Sequence, residues 1–171
     1  MKTKDLFLIQ IKHKGISGEV YDTLNERDKK KLEKQDEKYW LKKEYRRKIK
    51  VVMTGGVFDL LHYGHIYTLE KAKAQGDILI VIIARDELVL KNKNRTPIHS
   101  QKHRQKIVNS LKPVDLCLIG EEDPVEMAKK INPNLIVYGY DQNPFITNYP
   151  YIKLDKREEY KTSKIIENLG I

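Results

Sequence analysis

The chain has 171 residues and a formal net charge of +9, long enough for one cored domain with an added segment. No apolar stretch is long enough to cross a bilayer, the opening MKTKDLFLIQIKHK has no signal-peptide cleavage pattern, and a single cysteine excludes an internal disulfide, so a cytoplasmic protein without membrane association is expected. The charge is uneven: residues 1–50 hold 16 Lys+Arg against 9 Asp+Glu, and residues 51–171 hold 17 against 15. This predicts a basic appendage over 1–49 and a main domain over 50–171.

Within the appendage, LFLIQIKHKGISGEV predicts a hairpin or a short strand with a glycine turn. The stretch NERDKKKLEKQDEKYWLKKEYRRKIK predicts a charged helix, capped by Asn25 and with Asp28 in its first turn. Leu32, Tyr39, Trp40, Tyr45 and Ile49 are its apolar members, a stripe to pack on the main domain.

From Lys50 onward strand and helix patterns alternate. IKVVMT predicts a buried strand stopped by glycine, and a helix follows from about Gly64 to Gly76. DILIVIIA is apolar throughout, the mark of a strand covered on both faces. RDELVLKNKNRTPI predicts a short helix and then a basic loop carrying Lys91, Lys93 and Arg95. Ser100 is placed to cap a helix over QKHRQKIVNSL. VDLCLIG is a third strand, with Cys117 buried in it, PVEMAKKI a helix opened by proline, and PNLIVYG a fourth strand. YIKL is a weak fifth strand, and a last helix is expected from about Thr162 to Leu169. The fold class predicted is α/β: a Rossmann-like, doubly wound, parallel five-stranded sheet with the basic appendage added. Such sheets bind ligands beyond the carboxyl ends of their strands, where the strand order reverses.

The most informative stretch is GGVFDLLHYGHI, residues 55–66, directly after the first strand of the main domain. It has no G-x-G-x-x-G fingerprint and no P-loop, and its H-x-x-H lacks the glutamate of a zinc-protease helix. His99 and His103 are four apart, but Ser100 caps between them and no further ligands follow, so no protein metal site is expected. What remains is phosphate chemistry. Gly55 and Gly56 let the backbone approach a bulky anion, and a helix start near Gly64 aims N–H groups and a positive dipole at it. His62 and His65 stand one turn apart as two hydrogen-bond donors for phosphate oxygens. No strong general base is evident, which suits an acceptor that is itself an ionised phosphate and leaves positioning and charge stabilisation as the catalytic work.

These residues resemble the signature of the cytidylyltransferase-like nucleotidyltransferases, whose hallmark is H-x-G-H after a strand and a G-x-F-D turn. The resemblance covers about residues 50–170. It implies transfer of a nucleoside monophosphate from an NTP to a phosphate-bearing acceptor, with release of pyrophosphate and with Mg²⁺ brought by the NTP. Carried over position by position, it implies catalytic roles for His62, His65 and Lys93. Gly55, Gly56, Val57, Phe58 and Gly64 then seat the nucleotide, as do Gly139, Tyr140, Asp141 and Gln142 of YGYDQ. Asp59, Lys91 and Arg104 would meet the acceptor or the phosphates. KTSKII resembles the family's C-terminal serine/threonine signature, which puts Thr162 and Ser163 on the triphosphate.

Within the family, VIIARDELV, the stretch from Pro97 to Gly120, and YGYDQ are similar to archaeal FAD synthases, which join the AMP of ATP to FMN. The alternative is a CTP-dependent cytidylyltransferase acting on glycerol 3-phosphate or another polyol phosphate. A reading of another class, a nucleotide-sensing nucleic-acid-binding protein, rests on the basic run from Arg27 to Lys50. Acids interleave with the lysines there, which suits a solvated helix better than a phosphate-tracking stripe, so nucleic acid is not an expected partner. A homodimer is expected, since an edge of the fold must be covered.

Overall fold

The computed structural model describes residues 1–155. The expected C-terminal helix, with Thr162 and Ser163, lies outside the described residues. The N-terminal segment contains Thr3–His13 (α1), Gly18–Asp22 (α2), Glu26–Lys29 (α3), Leu32–Gln35 (β1), Lys38–Leu41 (β2) and Lys43–Arg46 (α4). Two expectations are overturned there, and in opposite senses.

The run expected to be a strand or hairpin is the helix α1. Lys2 N–H donates to the Asp5 carboxylate in its first turn (2.9 Å), and Leu6, Phe7 and Gln10 are buried. Lys14 at φ 53° and Gly15 at φ 103° end it. The long charged helix is absent. Asn25 does cap a helix, its side chain accepting from Asp28 N–H, but α3 is a single turn. Beyond it β1 and β2 form an antiparallel hairpin, with Leu32 opposite Leu41 and Gln35 opposite Lys38. Its two-residue turn, Asp36-Glu37, places Asp36 at φ 54° without a glycine. Hairpin turns of this length favour Asn-Gly or Asp-Gly, so the composition hid it. The pairing carries both Leu32 and Leu41 into the core, which outweighs the helix propensity of the lysine-rich run.

The main domain follows the predicted alternation closely: Val51–Gly56 (β3), Tyr63–Lys73 (α5), Ile78–Ile83 (β4), Asp86–Lys93 (α6), Gln101–Asn109 (α7), Leu116–Ile119 (β5), Pro124–Ile131 (α8), Leu135–Tyr138 (β6) and Tyr151–Lys153 (β7). The sheet order is β5-β4-β3-β6-β7, and every neighbouring pair is parallel. Ser100 caps α7 through His103 N–H, and Asp123 caps α8 ahead of Pro124. Asn94 and Asn132, both left-handed, end α6 and α8.

The strands alternate side chains between two faces. Val52, Leu79, Val81, Ile83 and Cys117 meet Leu69 and Ala72 of α5 and Val108 of α7. On the other face, Val51, Met53, Ile78, Ile80, Leu116 and Ile136 meet Met127, Ala128 and Ile131 of α8. Leu6, Phe7, Ile16, Leu32 and Leu41 belong to that same packed cluster. The N-terminal segment is thus a layer over the face that α8 shares, and each such side chain contributes roughly 1.5–3 kcal/mol of burial. Arg46 fastens it: its guanidinium lies 4.8 Å from the Phe7 ring and donates to the carbonyls of Ile49 (2.8 Å) and Asn132 (2.5 Å).

Candidate active site

The order of the sheet reverses at β3, whose two neighbours are β4 and β6, and the two loops flanking the β3/β6 crevice carry the sequence motifs. After β3 the chain turns sharply through Phe58, a non-glycine at φ 52°. Such a conformation is costly and persists only where the surroundings impose it. They do so here: Phe58 is buried, and Gly56 makes room for it, since a Cβ at Gly56 would stand 2.9 Å from the Phe58 ring.

His62 is the N-cap residue of α5, and its N–H donates to His65 Nδ1 (3.4 Å). The accepting Nδ1 makes Nε2 the protonated nitrogen of a neutral His65. The two rings lie 3.9 Å apart, and Phe58 packs 5.1 Å from His65. His62 Nδ1 is buried without a hydrogen-bond partner among the described residues. Burial pushes the His62 pKa below 6.5, against the opposing pull of Asp141. Gly64 sits in the first turn of α5 and borders a small hollow beside the cleft, while His62 and His65 line the cleft itself.

Across the crevice, Gln142 ties the two loops together. Its Nε2 donates to the Gly55 carbonyl (2.8 Å) and its Oε1 accepts from Gly139 N–H (2.8 Å). The amide expected to touch the nucleotide is therefore engaged in holding the crevice. Gly139 and Asp141 line the cleft, as do Gly55, Gly56, Val57 and Phe58. Tyr140 turns instead to a small adjoining hollow with Tyr63 and Tyr67.

Arg104 and Asp59 differ most from expectation. Arg104 does not reach out to phosphate; it is fully buried. Its Nε donates to the His99 carbonyl (2.9 Å), Nη1 to the Val57 carbonyl, and Nη2 to the Ala84 carbonyl (2.8 Å) and the Asp86 carboxylate. One guanidinium fork thus fixes the loops after β3 and β4 and the segment entering α7. Asp59, also buried, accepts from Ile98 N–H, His99 N–H (3.0 Å each) and Arg95 (3.1 Å). Burial raises its pKa, but these donors outweigh it and hold the carboxyl below the usual carboxylate range. Asp59 organises the 95–99 segment, and Arg95, half-exposed, reaches the cleft from it.

Lys91 and Lys93, expected on a loop, stand in the last turn of α6. Lys91 is exposed and is not among the cleft residues, which on this side include Arg85, Leu88, Val89, Asn92 and Arg95. Only the backbone of Lys93 is described. Cys117 is buried and its thiol is pushed up to about 12 by burial, so it is no nucleophile. Among the described residues no group of three or more His, Cys, Asp or Glu is arranged to hold a metal ion.

These loops enclose a cleft of about 760 Å³. One side is polar, with His62, His65, Arg95 and Asp141; the other is apolar, with Met53, Ile82, Met127, Tyr138 and Ile146. The sequence pattern pointed to the polar side alone, because the apolar residues come from four elements and one loop with no local motif.

A chain with this site has recognisable relatives. The cytidylyltransferase-like family pattern matches residues 53–168. The chain is 41% identical to a FAD synthase of Thermococcus sibiricus over 72% of this chain and 94% of the relative, and 39% identical to a FAD synthase of Thermococcus onnurineus over 75% and 96%. Those relatives are matched almost end to end, while about a quarter of this chain has no counterpart in them. Among solved structures it resembles the lipopolysaccharide core biosynthesis protein of Thermoplasma volcanium, with a TM-score of 0.60 and 31% identity, covering 64% of this chain and 99% of that one. The histidine pair at the helix start, the crevice it faces and these matches together place the chain in the cytidylyltransferase-like family.

Proposed function

We propose that the protein is an FMN adenylyltransferase, a nucleotidyltransferase that joins the AMP of ATP to FMN. The observation that carries the chemistry is the His62–His65 pair at the start of α5, facing the β3/β6 crevice. The named relatives carry the choice of substrates. A phosphate oxygen of FMN attacks the α-phosphorus of ATP, the bond from that phosphorus to the bridging oxygen breaks, and pyrophosphate leaves with the bonding pair. The attacking oxygen is already ionised and needs no base. His65, with its Nε2–H fixed, donates to the oxygens whose charge grows in flight, and the α5 N-terminus adds its N–H groups and dipole. His62 and Arg95 add charge-stabilising donors from either side of the cleft, and Lys93 is a proposed further one.

Mg²⁺ fits such a site as a passenger of the triphosphate, because it keeps several waters and needs only one or two carboxylates. Asp141, the carboxylate that acts on His62, is the residue to hold it, and the ion when bound draws charge off the phosphate oxygens. We place the enzyme in the cytoplasm; no helix among the described residues is long and apolar enough to cross a membrane. The apolar residues of the basic N-terminal run pack in the core cluster on the sheet, and nucleic acid is not a partner in this proposal. A homodimer remains part of the proposal, to be read by sedimentation.

The test is His65→Ala, assayed with ATP, FMN and Mg²⁺. Loss of the donor costs about 2 kcal/mol or more in transition-state stabilisation, roughly thirtyfold in turnover, with the fold retained by circular dichroism. Turnover near that of the unaltered protein would remove His65 from the chemistry.

A further inference from the structure

We infer that the apolar side of the cleft is a slot for the flat ring system of the acceptor, and that Phe145 is its outer wall. The inference rests on the adenylyl-transfer reading and names what sets the acceptor class.

The floor of the slot is flat for a reason visible strand by strand. On the α8 face, β3 presents Met53 and then Gly55, β4 presents Ile80 and then Ile82, and the chain leaving β5 presents Leu118 and then Gly120. Gly55 pairs with Ile82 in register, and Gly120 N–H donates to the Ile83 carbonyl (2.9 Å). Ile82 therefore stands between two positions without side chains, both lining the cleft. A Cβ at Gly120 would lie 3.2 Å from Ile82 Cγ2, and one at Gly55 would lie 3.3 Å from the Ile82 carbonyl oxygen. Two bare backbone stretches beside one aliphatic side chain make a surface that a planar ring can cover and a branched group would leave wet.

The walls are apolar on both sides. Pro124 and Met127 of α8 form one; Tyr138, Phe145 and Ile146 form the other. Tyr138 is buried and its hydroxyl accepts from Ile146 N–H (3.0 Å), which fixes how the chain presents Phe145. Phe145 meets Tyr138 edge-on, with ring centroids 5.7 Å apart and planes at 67°. Yet Phe145 is 62% exposed, and two further cleft residues, Leu60 and Ile98, are also exposed. Large apolar groups left open to water at the mouth of a cleft are what a bound apolar ligand covers. A ribityl chain running from this slot to the histidine pair connects the ring to the reacting phosphate. A polyol phosphate would occupy the polar side and leave slot and rim uncovered, so the slot selects an aromatic acceptor.

The experiment uses the full chain and measures KM for FMN and for ATP by pyrophosphate release, with FMN binding followed separately by quenching of flavin fluorescence in the absence of ATP. Phe145→Ala raises the KM for FMN about tenfold, the worth of a lost ring contact, weakens the quenching titration by a similar factor, and leaves the KM for ATP within about twofold. Leu90→Ala, exposed but outside the cleft, changes neither. If Phe145→Ala instead raises the KM for ATP with that for FMN unmoved, the slot belongs to the adenine and the inference is overturned. If neither KM nor quenching moves while the unaltered protein turns over FMN, the slot is not part of the site. Failure of the unaltered protein to use FMN at all would instead strike the adenylyl-transfer reading itself.

Discussion

His62 shows how one side chain's surroundings set its charge. Half-buried at the N-cap of α5, its imidazole has a folded pKa below 6.5 and is neutral at pH 7 and above. The sign of the linkage follows. The unfolded chain takes up the proton first as pH falls, so the stability that neutral His62 contributes is complete above pH 6.5 and is lost on descending toward its folded value. In the ligand-free protein, the His62 resonances should titrate below 6.5 by NMR, and bound triphosphate should move that titration upward. Titration above 6.5 in the free protein would contradict the burial assigned to it. The two histidines and their spacing were legible in the sequence because the motif is local. What the sequence withheld is that Phe58 must adopt φ 52° to bring them into place, a strain no pattern of residue types announces.

Among the elements, the loops around the cleft depend on buried side chains hydrogen-bonded to backbone and to neighbouring side chains. Arg104 joins the Val57, Ala84 and His99 carbonyls and Asp86, and Asp59 gathers the 95–99 segment. Both read as ligand contacts in sequence, since Arg and Asp near a phosphate motif invite that role; only tertiary burial reveals that they position backbone. Arg104→Met leaves three carbonyls and a carboxylate without their donor and should cost about 3 kcal/mol or more in urea unfolding. A loss under about 1 kcal/mol would mean that the fork is not what holds these loops. In the N-terminal layer, Asp28 plays a similar part, bonded to Lys31 (2.6 Å) and to the Met1 ammonium (2.7 Å). The Lys31 and ammonium hydrogen bonds, outweighing burial, lower its pKa to about 2. Its contribution is therefore present above pH 3.8 and lost as pH falls toward 2. Asp28→Asn should flatten that part of the acid-stability curve, and an unchanged acid limb would count against the pairing.

At the scale of the molecule, the parallel sheet was readable because β3 to β6 are apolar runs with glycine at or near an end, and α7 and α8 carry their own start signals in Ser100 and Pro124. The N-terminal layer was not readable. Its helix α1 looks β-rich and its hairpin looks helical, and both take their form from the sheet face they cover. We propose that residues 1–49 are one cooperative unit with the rest: the full chain should unfold in a single transition, and residues 50–171 alone should aggregate or bind a hydrophobic dye. A truncated chain that is monomeric and unfolds as sharply as the whole would show that the layer is dispensable. What the cleft joins is read by pyrophosphate release with ATP or CTP, each offered FMN or glycerol 3-phosphate in the presence of Mg²⁺. An FMN adenylyltransferase releases pyrophosphate with ATP and FMN, with FAD as the other product. Release with CTP and glycerol 3-phosphate, and none with ATP and FMN, would contradict the proposed function.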